Sequence, residues 1–166
     1  MTATRTLRWI TIPLVALGLT APAAPAEAKA PVPIPPTPPT TFDAGQACAF
    51  PLTYSGTGGF TTTHKHGDVT VTAGQGQTLT LTNATSGKST TLPSSGVVDI
   101  TTKLPDGSTR VVALGAHVLI LFPTDVPAGP TTTLYTGRVV YTIGADGVWT
   151  ILSSAGPTKD LCAALS

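Results

Sequence analysis

Along most of the chain, apolar side chains alternate with threonine. Val69 and Val71 alternate with Thr70 and Thr72, and Leu79 and Leu81 with Thr78, Thr80 and Thr82. Val98 and Ile100 point opposite to Val97, Asp99 and Thr101. A period of two puts one face of each run inside and the other in solvent, the pattern of half-buried antiparallel strands. Residues 118–122 are apolar on both faces and should form the most buried strand. Residues 134–143 predict a long strand bent at Gly137, and residues 149–152 close the series.

Glycine-containing breaks separate these runs. Asp106-Gly107 and Asp146-Gly147 predict two-residue hairpin turns with both central residues at positive φ. Gly74-Gln75-Gly76 and Ser86-Gly87 mark further turns. No amphipathic helix of useful length is legible, and residues 160–165 suit one C-terminal turn. The expectation is all-β: a single antiparallel β-sandwich or closed β-barrel of about eight to ten short strands, over residues 47–166.

Composition sharpens this. Thr is the commonest residue, while charged residues make up 10% of the 166 and aromatics 5%. That balance excludes a coiled coil, a helical bundle and an acidic disordered tail.

The N-terminus reads as an export signal. Arg5 and Arg8 precede an apolar stretch at residues 9–19, too short to span a bilayer of about 30 Å as a mature helix. Ala26-Glu27-Ala28 then fits a cleavage site, with Ala24-Pro25-Ala26 as a second, so residues 1–28 are expected to be a signal peptide. The whole chain carries nine basic and eight acidic side chains. Loss of Arg5, Arg8 and Glu27 leaves the mature chain neutral, with no electrostatic footprint for nucleic acid or an anionic membrane. Residues 29–46 begin Lys-Ala-Pro-Val-Pro-Ile-Pro-Pro and are expected to be a solvated, mobile linker. Cys48 and Cys162 are the two cysteines, and in an exported protein they imply one disulfide bracketing the domain.

Candidate chemistry is sparse. His64 and His66 would share a face of a strand and could, with His117 and Asp68, hold zinc or copper. Gly58 with these two histidines imitates the start of a cupin pattern, but Thr70 and Val71 stand where its glutamate belongs. Gly87-Lys88-Ser89 lacks the first glycine of a phosphate-binding loop, since position 82 is Thr82. Gly-x-Ser-x-Gly is missing, and Asp43, Asp68, Asp99 and Asp125 are the acids left unexplained by turns or by the C-terminal segment. Arg110 and Arg138 suit solvent-side ion pairs. Tyr135, Tyr141 and Trp149 suit either a core or a sugar-stacking platform.

Several short stretches carry a resemblance. Cys48, Leu81-Thr82-Asn83 with Gly87-Lys88-Ser89, Pro105-Asp106-Gly107-Ser108, Thr136-Gly137-Arg138 and Asp160-Leu161-Cys162-Ala163-Ala164-Leu165 resemble uncharacterised secreted actinobacterial proteins. The resemblance implies export and a stapled β-domain, and no activity. The expected function is a secreted, non-enzymatic binding or structural domain with an extracellular ligand or protein partner and no cofactor. Its rivals are a small metal-binding protein or metalloenzyme built on His64 and His66, and an extracellular hydrolase with an unrecognised Ser-His-Asp set.

Overall fold

The computed structural model describes residues 30–166. The expected signal peptide and its cleavage sites lie outside the described residues. In chain order the strands are β1 (Val32–Pro33), β2 (Thr37–Phe42), β3 (Leu52–Thr57), β4 (Phe60–His66), β5 (Val69–Gln75) and β6 (Thr78–Asn83). They continue with β7 (Ser89–Leu92), β8 (Gly96–Lys103), β9 (Thr109–Leu121), β10 (Thr131–Ile143), β11 (Trp149–Ala155) and β12 (Thr158–Asp160), before helix α1 (Leu161–Leu165). The larger sheet runs β1-β4-β5-β8-β9-β10-β11, with β12 also on β10. The smaller runs β2-β3-β6-β7. All pairings within the sheets are antiparallel. The described residues form no closed barrel. Twelve strands exceed the expected eight to ten because β1, β2 and β12 are short edge pieces without apolar alternation.

The proline-rich segment corrects an expectation. Within residues 29–46, expected as a mobile linker, Thr37–Phe42 is an edge strand on β3, and Val32–Pro33 pairs with β4. Proline cannot donate to a ladder, but at a sheet edge the missing N–H faces outward and costs nothing. Side chains supply the rest. Gln77 donates to the Pro35 carbonyl at 2.9 Å and accepts from the Thr37 hydroxyl at 2.8 Å. Phe42 stacks on Tyr54 with centroids 5.7 Å apart.

The Asp-Gly hairpins also differ from expectation. Only glycines have positive φ, so Asp106 and Asp146 cannot sit in two-residue turns that need it at both positions. Leu104 N–H donates to Ser108 and Gly107 N–H to Leu104, closing a three-residue loop. Gly144, Gly147 and Val148 repeat the pattern. Gly107 and Gly147, each at φ 84°, take the left-handed position.

A crease organises the molecule. Gly115 of β9 pairs with Gly137 of β10, and Gly156 lies beside them between β11 and β12. All three have positive φ, and a Cβ on each would strike a neighbouring carbonyl, of Gly96, Ala155 and Thr136 respectively. A straight 13-residue strand would put the ends of β9 about 40 Å apart. Instead the chain just past Leu121 returns to the hairpin that begins at Ile143. Val126 N–H donates to the Trp149 carbonyl at 2.8 Å, and Ile151 N–H donates back to Val126 at 2.7 Å. The distal half of the β9–β10 hairpin is folded back over the proximal half.

That fold-back gives the distal half a core on each side. Val118, Ile120 and Leu134 pack with Leu52 and Leu81 of the smaller sheet and with Leu161 and Leu165 of α1. Leu119 and Tyr135 pack with Val111, Ala113, Val139 and Tyr141 of the proximal half. Residues 118–122 were expected to be the most buried strand, but only Leu119 and Leu121 are buried and Phe122 is exposed, whereas Val139, Val140 and Tyr141 of β10 are buried in succession. Cys48 and Cys162 are disulfide-bonded, with Cα atoms 5.5 Å apart, and join the start of the domain to α1. Asp160 caps that helix by accepting from Ala163 N–H at 2.9 Å.

Candidate functional site

The register separates the three histidines. His64 pairs with Val71, which pairs with Ile100, which pairs with Val112. Residues directly opposite one another share a face, so His64 and His66 lie with Val71, Ile100 and Val112. Asp99 and Ala113 belong to the other face. His117 contacts Asp99, with Nε2 3.0 Å from Oδ1. It therefore sits across the sheet from His64 and His66, three strands or about 14 Å away laterally. Among the described residues no three His, Cys, Asp or Glu side chains converge as a metal site.

His117 and Asp99 border a cleft where the two sheets meet beside the crease. Its volume is about 270 Å³. Ile34, Leu79, Leu92, Val97, Val118 and Leu134 make the apolar wall, and Gln77 and Ser95 add polar edges. The proline-rich segment contributes Ile34, held by its N–H donating to the Gly59 carbonyl at 3.1 Å. The close approach of His117 to Asp99 is off-line for a hydrogen bond. Both ring nitrogens and Asp99 Oδ1 are buried without a hydrogen-bond partner. Among the described residues no serine hydroxyl hydrogen-bonds His117.

The opposite face of the larger sheet is the second feature. Three rows cross β4, β5, β8, β9 and β10. One runs His66, Val69, Thr102, Arg110, Thr142 and the next His64, Val71, Ile100, Val112, Val140. The third runs Thr62, Ala73, Val98, Leu114, Arg138. Val71, Val98, Ile100, Val112 and Leu114 are half-buried and join neither core cluster. The solvent face of the smaller sheet is the reverse in character. There Thr41 bonds Thr53 at 2.7 Å, and Thr82 bonds Ser89 at 3.1 Å.

Other expectations resolve plainly. Tyr141 stacks on Trp149, centroids 4.9 Å apart and planes at 9°, inside the core. Burial, with a smaller push from Asp99, lifts the Tyr141 phenol to about 12. Neither Arg110 nor Arg138 forms the expected ion pair among the described residues. Asp125, one of four unexplained acids, is buried and structural. It accepts from Trp149 N–H at 2.8 Å and Phe122 N–H at 2.6 Å.

The chain matches no protein-family description, no curated protein and no solved structure.

Proposed function

We propose that this is an exported, disulfide-stapled, β-sandwich-like binding domain without catalytic activity, which works by protein–protein contact through the open face of its larger sheet. The observation that supports this is the apolar centre of that face. Val71, Val98, Ile100, Val112 and Leu114 are half-buried there, where the other solvent-facing sheet carries hydroxyls. The apolar centre lies on β5, β8 and β9 and is flanked by His64, His66, Arg110 and Arg138, an apolar centre within a polar rim as in protein–protein contacts. A disulfide suits an extracellular setting. The neutral mature chain argues against nucleic acid and membrane partners.

A second copy is the partner to test first. A two-fold axis along β8 sets the Asp68 turn of one copy against Arg110 of the other, so the rim gains attraction. Sedimentation of the mature protein over a concentration series should show a dimer. Ile100→Asp, at a half-buried position, should shift it to monomer with its circular dichroism unchanged. A wild type that stays monomeric at millimolar concentration would remove self-association.

A further inference from the structure

The cleft between the sheets is independent of that face, and its chemistry is different. We infer that it is a binding site for a small, uncharged amphipathic molecule, an apolar body of about octanol size ending in a hydroxyl group.

Three observations carry the assignment. First, the walls are Ile34, Leu79, Leu92, Val97, Val118 and Leu134, drawn from both sheets and from the proline-rich segment. A volume of about 270 Å³ suits a small ligand and lies near the lower end of ordinary ligand cavities. Second, apart from the Gln77 and Ser95 edges, an acid and an imidazole meet at one place on the lining, Asp99 of β8 and His117 of β9. Third, those groups are unsatisfied. Nδ1 and Nε2 of His117 and Oδ1 of Asp99 make no hydrogen bond, although Nε2 and Oδ1 lie 3.0 Å apart, an arrangement that is unfavourable unless something pairs with these atoms.

The unsatisfied set selects the head group. The imidazole offers at least one N–H donor, and the carboxylate offers acceptors. A hydroxyl both donates and accepts, so it can bridge the carboxylate and the ring. A carboxylate head would face Asp99 with like charge and no proton to give. An ammonium head would satisfy Asp99 but has no lone pair for the imidazole N–H. The apolar wall fixes the other end, since each methylene buried there is removed from water.

The experiment titrates octanol, octanoate and octylamine into the intact disulfide-bonded protein. Backbone and imidazole resonances are followed by NMR and heats by calorimetry. Octanol should shift Val97, His117, Val118 and Leu134, with affinity at least tenfold above octanoate. Asp99→Asn removes the repelling charge and should narrow the gap between octanol and octanoate several-fold. Leu92→Trp should fill the cleft from the edge of the smaller sheet and abolish the shifts while leaving Asp99 and His117 intact. Both variants should keep the wild-type spectrum away from the cleft. Equal affinity for octanol and octanoate, shifts confined to Val71, Ile100 and Val112 on the open face, or unchanged binding in Leu92→Trp would each overturn the assignment. So would the absence of any shift with all three probes.

Discussion

Asp125 shows how one buried side chain can decide long-range geometry. Its two carboxylate oxygens hold the N–H groups of Phe122 and Trp149, and so clamp the folded-back hairpin to β11. Asp125→Ala would strand both donors in a site where the aspartate is only 4% exposed. The expected loss is about 3 kcal/mol, read as a lower denaturant midpoint, since bonds to charged groups contribute about 1.5–3 kcal/mol. An unchanged midpoint would contradict the clamp. Tyr141 gives a pH prediction. Its folded phenol is raised, chiefly by burial, to about 12 from an ordinary value of 10.0. Ionisation therefore favours the unfolded chain. The contribution of Tyr141 is complete below pH 10 and fades as pH climbs towards 12. Phenolate absorbance should show Tyr141 titrating well after the exposed reference, with burial raising Tyr135 as well. His117 was legible as a candidate ligand, but its partner was not. Asp99 was one of four equivalent acids until strand pairing set it beside the imidazole.

At the scale of elements, alternation located the inner strands, because burial of one face leaves a period-two record in the sequence. The bend at Gly137 was legible too. Gly115 and Gly156 were not, since their meaning lies in standing beside Gly137 across neighbouring strands. Gly137→Ala tests the crease. An L-residue at φ 127° is strained, and its Cβ would strike the Ala155 carbonyl. We expect a loss of at least about 2 kcal/mol in denaturant titration. Gly45→Ala, at φ 85° but in open space, should lose about half as much. Equal losses would mean that backbone conformation alone matters and the crease is not tightly packed. The proline-rich segment misled for a related reason. Its composition forbids a central strand, but an edge place and the Gln77 side chain make it part of the fold.

For the whole molecule, the staple spans a sequence separation of 114 residues and ties Cys48 to the terminal helix. Thr132 supports the same junction by donating to the Ala47 carbonyl at 2.9 Å, and Asn83 donates to the Leu165 carbonyl at 3.1 Å. Replacing both cysteines by serine should cost about 2–5 kcal/mol through the enlarged entropy of the unfolded chain. The strand content should survive in circular dichroism. Two free thiols in the unfolded, unreduced wild type would show that the bond does not form. The pairing needed no structure, since two cysteines allow one choice. Nor did the all-β class, because alternation and turn residues are local consequences of burial and φ. What lies outside the reach of local pattern is how far each strand runs before it turns back. Folding of the β9–β10 hairpin at its glycines gives it a core on both sides, brings Asp99 and His117 to one cleft, and leaves Val71, Val98, Ile100, Val112 and Leu114 outside both cores. Those outcomes depend on contacts between residues far apart in the chain, and only the tertiary structure brings such residues together.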